Sequence, residues 1–179
     1  MKKIIKFFSV IFITAFLFVS NGCDEFETLL LNIPMTWQFS MSGATLSDEG
    51  SVCLNDEQLY QDYQENITSI TLVRVIIRFE QIIPAGLTGD INLTLLNGQG
   101  FTLYDNTFTG FNPGVYQIPN DPYEIVFTAD ELQAINDYLS GLNNLCFTGI
   151  ISATNISPVA SDYTLTGYVD FLFEAETEF

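Results

Sequence analysis

Three cysteines, at positions 23, 53 and 146, are the residues of this sequence best suited to covalent chemistry. A catalytic thiol needs a base, and the sequence contains no histidine, so thiol catalysis is not expected. If Cys23 carries another modification, Cys53 and Cys146 remain as an even pair, which would form a disulfide bond in a compartment outside the cytoplasm. The alternative is two buried free thiols that pack as small hydrophobic side chains.

Carboxylates are the other reactive groups, with 22 aspartate and glutamate residues in the chain. Two carboxylates about 5–9 Å apart can hydrolyse a glycosidic bond. No such pair stands out, so no catalytic residue is assigned, and a carboxylate-dependent hydrolase is a remote alternative. Calcium is the cation that oxygen ligands suit. Loop clusters that could supply them are Asp48-Glu49, Asp105-Asn106 and Asp121 with Glu124. None matches an EF-hand loop, so the prediction is ordinary acidic turns, with no metal site and no cofactor.

Arg74 and Arg78 are the only cationic side chains beyond residue 22. They lie on one face of a predicted strand, about 13 Å apart in an extended chain. That spacing suits an anion-binding ridge. The favoured interpretation is charge pairing with carboxylates of neighbouring strands, which stabilises little where it is exposed.

Three aromatic residues lie in the proline-punctuated segment 110–123, namely Phe111, Tyr116 and Tyr123. Loops carry binding function more often than strands do. The three side chains could therefore form the lip of a carbohydrate or peptide site. The alternative is that they anchor a long connection to the core.

Alternation of apolar and polar residues predicts the strands that position these groups. The predicted strands cover residues 34–41, 51–54, 68–83, 90–96, 101–108, 123–128, 145–155 and 163–174. Residues 43–50 are predicted as a loop, and 174–178 as an acidic tail. Trp37 could stack on a sugar ring, but its register favours the core. Apolar residues of the third strand are expected on one continuous face, formed by Val73, Val75, Ile77 and Phe79.

Turn and helix patterns complete the fold prediction. Asn97-Gly98 predicts a hairpin, because both residues accept positive φ. Thr128 and Glu131 form a capping box, which opens an amphipathic helix over about 128–142. Asn55 and Gln58 predict the cap of a short helical turn over about 56–64. Together these elements predict an antiparallel β-sandwich of about eight strands with that one amphipathic helix.

The first 22 residues have the pattern of a secretory signal. Lys2, Lys3 and Lys6 precede an uncharged, mainly apolar run over 7–19. That run is short for a membrane span, which needs roughly 20 apolar residues. The alternative is an uncleaved signal anchor.

Val19-Ser20-Asn21-Gly22-Cys23 resembles a bacterial lipobox, although Ser20 stands where leucine is usual. Asp24-Glu25-Phe26-Glu27 resembles the acidic export signal of small, uncharacterised Bacteroidetes-type surface lipoproteins. The resemblance implies cleavage before Cys23, lipidation of its thiol, and a place at the outer membrane or cell surface. With Cys23 assigned to lipid by this resemblance, Cys53 and Cys146 remain, and they are predicted to form a disulfide bond. The expected organisation is a signal peptide over 1–22, a tether over 23–32 and one domain over 33–179.

Cleavage after residue 22 removes three lysines and no acid, which lowers the net charge from −17 to −20. Such a surface repels nucleic acid, so no nucleic-acid partner is expected. The expected partners are the membrane, through the lipid anchor, and an envelope protein or glycan. The predicted function is a non-enzymatic, membrane-anchored envelope or cell-surface lipoprotein that acts as a binding or accessory module. A carbohydrate- or peptide-binding module and a structural coat protein are the alternatives.

Overall fold

The computed structural model describes residues 28–43, 46–141, 145–160 and 162–178. The predicted signal peptide, Cys23 and the acidic cluster after it lie outside these residues. The described strands are β1 (Leu29–Ser42), β2 (Leu46–Cys53), β3 (Ile67–Ile83), β4 (Thr88–Asn97), β5 (Thr102–Phe111), β6 (Tyr123–Glu124), β7 (Cys146–Ser157) and β8 (Thr164–Thr177). The described helices are α1 (Gln58–Tyr63) and α2 (Ala129–Leu139). Neither helix is long and apolar enough to cross a membrane.

The strands form two four-stranded antiparallel sheets. The first sheet has the order β1-β8-β3-β6 and the second has the order β2-β7-β4-β5. Two packed four-stranded sheets with this order are a jelly roll, the double Greek-key form of a sandwich. The predicted β-sandwich is therefore confirmed.

The core lies between the sheets and follows the period-2 alternation of the long strands. In β8 the predicted inward face is buried, including Leu165, Val169 and Phe173, while the alternate side chains are partly exposed. In β1 the same alternation buries Ile33 and Phe39. Burial of such side chains is the main favourable term in folding.

Trp37 joins the two sheets by filling a space that only glycine leaves open. Its ring lies over Gly50 of β2 and Gly149 of β7, which are direct partners in the second sheet. A Cβ atom added at either glycine would lie under 3.0 Å from the indole ring. Trp37 is 6% exposed, so its predicted place in the core is confirmed.

A second contact of this kind lies within the first sheet. Gly167 of β8 sits between Phe39 and Phe79 in the strand register. The two rings meet edge to face with centroids 5.8 Å apart. A Cβ on Gly167 would lie 2.7 Å from Phe39 Cζ and would collide with the Arg78 carbonyl oxygen. The glycine thus lets two aromatic rings meet across the central strand.

The prediction of a loop over residues 43–50 is wrong, because β2 begins at Leu46. Its inward positions include Asp48 and Gly50, which carry no apolar pattern. Gly50 makes room for Trp37, and Asp48 Oδ2 accepts a hydrogen bond of 2.7 Å from the Ser40 N–H of β1. Tertiary packing, rather than strand propensity, makes this segment a strand.

The predicted apolar face of β3 is broken at Val73. A register shift between Leu72 and Arg74 leaves Val73 51% exposed and buries Leu72 instead. The Leu72 N–H donates to the side-chain oxygen of Asn136 in α2, at 3.1 Å. A bulge reverses the alternation from that point, so Val75, Ile77 and Phe79 do face the core as predicted.

β1 and β8 extend beyond their predicted ends, and β6 is shorter than predicted. β1 begins at Leu29, so the last four residues of the predicted tether pair with 174–177. β8 runs to Thr177 because Ala175 and Thr177 are fully buried, which corrects the predicted acidic tail. β6 spans only Tyr123–Glu124, because 125–128 turn away to start the helix, although the Ile125 N–H still bonds to Val75.

The β4–β5 hairpin is confirmed, but its turn chemistry differs from the prediction. The positive φ belongs to Gly100, at 83°, rather than to Asn97 and Gly98. The Gly100 N–H bonds back to the Asn97 carbonyl at 2.9 Å. This is a turn followed by a left-handed glycine, the usual pattern of a slightly longer hairpin loop.

Helix α2 is confirmed with its capping box. The Glu131 N–H donates to Thr128 Oγ1 and the Thr128 N–H donates to Glu131 Oε2. Its last turn is held by Tyr138, whose hydroxyl donates to the Cys146 carbonyl at 2.8 Å and accepts from the Gly98 N–H at 3.1 Å. The helix is thereby tied to the start of β7 and to the β4–β5 turn.

The short helix α1 forms near the predicted place without the predicted cap. Asn55 lies in a preceding 3₁₀ turn, Leu54–Asp56, and its carbonyl accepts from the Gln61 side chain at 2.7 Å. Glu57 takes the capping position with no side-chain hydrogen bond, and Gln58 donates forward to Asp62 instead.

The predicted disulfide is confirmed: Cys53 and Cys146 are bonded, across a separation of 93 residues. They are register partners at the end of β2 and the start of β7. The disulfide therefore links β2 to β7 at the end of the second sheet where Tyr138 is hydrogen-bonded to Cys146.

Gly149→Ala should destabilise the fold by about 1–3 kcal/mol, because the new methyl group overpacks the Trp37 ring. Chemical denaturation measures the loss. Gly141→Ala is the matched control, since its added Cβ makes only an ordinary contact of 3.4 Å with the Tyr138 carbonyl. In a double-mutant cycle, Trp37→Leu should cost less in the Gly149→Ala background than in the wild type. If the losses in free energy of unfolding from the two substitutions were additive, the contact between Trp37 and Gly149 would not be energetically significant.

Replacing both Cys53 and Cys146 by alanine should lower the free energy of unfolding by about 4–5 kcal/mol, the chain-entropy value for a loop of this length. Guanidinium denaturation under oxidising conditions measures it. A reducing agent should lower the midpoint of the wild type and leave that of the double variant unchanged. Equal midpoints for the two oxidised proteins would exclude a stabilising role for the bond.

Candidate functional site

The strand register divides the loops between two ends of the sandwich. Leu29, Ile67 and Thr177 lie together at one end, which we call the anchor end. Helix α1, the β4–β5 turn and the disulfide belong to the same end. The opposite end, the far end, carries Gly43, the connections 84–87 and 112–122, and residues 158–160 and 162–163. Four exposed apolar side chains stand in or beside these connections, namely Ile83, Val115, Ile118 and Val159.

The three predicted aromatic residues meet in one cluster at the far end. Phe111 and Tyr116 stack with centroids 5.2 Å apart and an angle of 17°. Tyr123 meets Phe111 edge to face at 5.0 Å and Tyr116 at 5.1 Å. The cluster continues into the core through Phe79, 5.8 Å from Phe111. The structure therefore brings together all three residues that the sequence singled out.

Within this cluster the three rings have different surroundings. Phe111 is 8% exposed and belongs to the core. Tyr123 is half-buried, and its burial raises the pKa of its hydroxyl above the ordinary value. Tyr116 alone of the three lines a surface depression. Phe111 and Tyr123 thus serve as anchors of the connection, and Tyr116 presents the ring that a ligand could reach.

The depression is open to solvent, with a volume of about 660 Å³, and it is lined by Val115, Tyr116, Pro119, Asn120 and Asp121. Sequence reasoning placed Asp121 only among acidic turns and did not single out Asn120. Nothing in the sequence pattern could have joined them to Tyr116, since a turn closed by the Asn120 N–H on the Gln117 carbonyl brings them there.

The connection that carries the depression is hydrogen-bonded to β3 at Gln117 and Ile118. The Ile118 N–H donates to the Phe79 carbonyl at 2.9 Å, and the Gln117 side chain donates to the Glu80 carbonyl at 3.1 Å. Near its start, Asn112 Oδ1 accepts from the Gly114 N–H at 3.0 Å. The lining residues are therefore held before any ligand arrives, which lowers the entropic cost of binding.

The two arginines have different environments. Arg78 makes a bidentate pair with Asp170 of β8, with N–O distances of 2.6 and 2.9 Å, and lies 5.2 Å from the centre of the Tyr168 ring. The hydrogen bond to Asp170 raises the pKa of Arg78 above its ordinary value. Charge pairing with a neighbouring strand is therefore confirmed for Arg78, and its guanidinium is not free to form an anion-binding ridge.

Arg74 is exposed on the outer face of the first sheet and makes no ion pair within the described part of the chain. It borders a smaller depression of about 210 Å³, whose other lining side chains include Pro34, Ile76 and Leu172. Arg74 is the one cationic side chain in the lining of this depression.

The acidic clusters considered for calcium do not converge. Asp48 is taken up by the Ser40 and Glu49 N–H groups, and Asp105 accepts from Asn92 and Thr94. Among the residues that the structure describes, no group of three or more potential acidic, histidine or cysteine ligands is placed to hold a metal ion.

Asp90 braces the far end from the start of β4. Its carboxylate accepts from the Asn155 side chain at 2.6 Å and from the Gly110 N–H at 2.8 Å. The Asn155 hydrogen bond, with that from Gly110, lowers the pKa of Asp90 below its ordinary value. A general acid needs the opposite shift, so this carboxylate is suited to structure rather than to proton transfer.

No protein-family model matches the sequence, and no curated protein matches it. Among solved structures, the chain is similar to that of turnip yellow mosaic virus, with 10% identity and a TM-score of 0.41 over 86% of this chain and 96% of that one. It is also similar to mud crab tombus-like virus, at 11% identity, with a TM-score of 0.37 and coverage of 88% and 94%. It is similar as well to the VP2 subviral particle of infectious bursal disease virus, with 14% identity and a TM-score of 0.36 over 87% of this chain and 39% of that one. These likenesses are distant, and the jelly-roll assignment rests on the strand order alone.

Asp90→Asn should make the free energy of unfolding depend less on pH in acid solution. Because the folded pKa of Asp90 is lowered, its contribution is present above the unfolded value of 3.8 and is lost as pH falls through the folded value. Urea denaturation between about pH 5 and pH 2 measures this. The wild type should lose more stability over that interval than the variant. If the free energies of unfolding of the two proteins fell equally with pH, the ionisation of Asp90 would not contribute to stability.

Proposed function

We propose that the protein is a membrane-anchored surface lipoprotein that presents the far end of its jelly roll away from the membrane as a non-catalytic binding or accessory module. The lipid would be carried by Cys23, at the end of the segment that resembles a lipobox. Stable anchoring takes two signals, and a cysteine with two or three acyl chains supplies them.

The observation that carries the proposal is the distribution of the cysteines. Cys53 and Cys146 are bonded to each other, and Cys23 is the remaining cysteine of the sequence. A structural disulfide is typical of proteins outside the cytoplasm, which agrees with the secretory pattern of residues 1–22. The remaining thiol is the one that the lipobox pattern assigns to lipid.

The start of β1 supports the proposed orientation. Only five residues separate Cys23 from Leu29, so the two Cα atoms are at most about 22 Å apart when this segment is extended. Lipid at Cys23 would therefore keep the anchor end near the membrane and direct the far end outward.

The chemistry of the chain supports a non-catalytic role. The sequence has no histidine, which removes the commonest general base. The carboxylate with a shifted pKa, Asp90, is stabilised in its ionised form by two hydrogen bonds.

Cys23→Ala should abolish incorporation of a radiolabelled or clickable fatty acid and release the protein from the membrane fraction of the cells that make it. The Cys53→Ala/Cys146→Ala double variant is the matched control, because it lacks the other two cysteines and should keep the label. Protease shaving of intact cells then tests exposure at the surface. A Cys23→Ala protein that stays labelled and sediments with membranes would exclude the proposal, as would an unlabelled wild type.

A further inference from the structure

We propose that the depression lined by Val115, Tyr116, Pro119, Asn120 and Asp121 binds an uncharged or amino sugar unit of a glycan. The inference deepens the proposed function and rests on it only for the outward orientation of the far end. The site, its lining and its chemistry are properties of the folded domain.

Tyr116 supplies the platform. One side of its ring stacks on Phe111 at 5.2 Å, and Tyr123 meets it edge to face at 5.1 Å, so the ring is fixed in place. The face of an aromatic ring carries partial negative charge. It attracts the polarised C–H groups that one side of a pyranose ring presents. Val115 and Pro119 extend the apolar part of the lining.

Asn120 and Asp121 supply the hydrogen-bonding groups. The Asn120 side-chain nitrogen donates to the Gly114 carbonyl at 3.4 Å, which holds the amide in the loop and leaves its oxygen as an acceptor. The Asp121 carboxylate is exposed and receives no hydrogen bond from any residue within the described ranges. A flat aromatic surface beside a few fixed polar groups is the usual composition of a small-molecule site.

Charge selects among the glycans that could stack there. Asp121 lies in the lining, and the chain after residue 22 has a net charge of −20. Uronic, sialic or sulfated sugars would bring like charge against this surface, and repulsion of that kind disfavours a ligand strongly. Neutral hexoses and pentoses avoid the repulsion, and an amino sugar gains an attraction to Asp121.

The depression is also of a suitable size. Its volume of about 660 Å³ lies within the range of about 300–1,000 Å³ that is typical of ligand pockets. Because it is open along the surface of the far end, it suits an internal or terminal unit of a longer chain rather than an enclosed small molecule.

The test titrates the purified full chain, held in a detergent without a sugar headgroup, with three sets of oligosaccharides. The first set contains neutral cello-, malto-, xylo- and manno-oligosaccharides, the second contains chitosan oligomers, and the third contains oligogalacturonate and hyaluronan fragments. Calorimetry measures the affinity. At least one neutral or amino-sugar ligand should bind, the acidic set should bind more weakly than its neutral counterparts, and added salt should narrow that difference.

Tyr116→Ala should weaken the best ligand by about tenfold or more, as loss of a central aromatic contact does. Because Tyr116 also packs on Phe111, Asp121→Ala provides a second test at an exposed position that supports no other side chain. Phe101→Ala is the matched control, since it removes an aromatic ring that is 68% exposed in the β4–β5 turn at the anchor end. Circular dichroism and the melting temperature establish that each variant is folded.

Several results would overturn the proposal: no binding across the neutral and amino-sugar sets, preference for the acidic set, or affinity unchanged in folded Tyr116→Ala and Asp121→Ala. Binding of peptides at this depression instead would also overturn it. The two proposals fail separately. Cys23→Ala purified from the soluble fraction should keep its glycan affinity, so loss of anchoring and loss of sugar binding are independent outcomes.

Discussion

The fit of Trp37 over Gly50 and Gly149 is the constraint on which the sandwich depends. A jelly roll needs its two sheets to pack closely, and the indole ring of β1 lies directly against the backbone of β2 and β7 in the other sheet. Three residues far apart in sequence must agree for this to work. Without the indole ring, the two glycines would leave an unfilled space in the core. Without the glycines, the ring would not fit.

The two ends of the molecule are stabilised by different interactions, because one end holds strand ends together and the other holds long connections. At the anchor end, a disulfide, the Tyr138 hydroxyl and the pairing of Leu29 with Thr177 fix the strands directly. At the far end, an aromatic cluster and the Asp90 carboxylate hold long connections in place. Long connections held on a rigid frame are the usual place for recognition in β-sandwich domains.

Much of the fold could be predicted because most strands alternate strictly and α2 carries its cap within its own sequence. The alternation of β8 and the box formed by Thr128 and Glu131 are local signals. The errors have non-local causes. β2 lacks an apolar alternation because Gly50 makes room for Trp37, and the strand with which it pairs, β7, lies far along the chain. The bulge at Val73 likewise involves Asn136 of the distant α2. The disulfide could be predicted once the resemblance to a lipobox had set Cys23 aside, whereas the depression could not, since hydrogen bonds to β3 place its loop.

The pairing of β1 with β8 has a mechanical consequence. β1 pairs with β8 from Leu29 to Ser42, along its whole length. In an antiparallel pair the hydrogen bonds run perpendicular to the strands. A pull applied between Leu29 and the far end therefore acts along the strand axes, so these bonds are loaded in shear and share the force instead of opening one after another. The strand through which the chain enters the domain is thus oriented to bear tension.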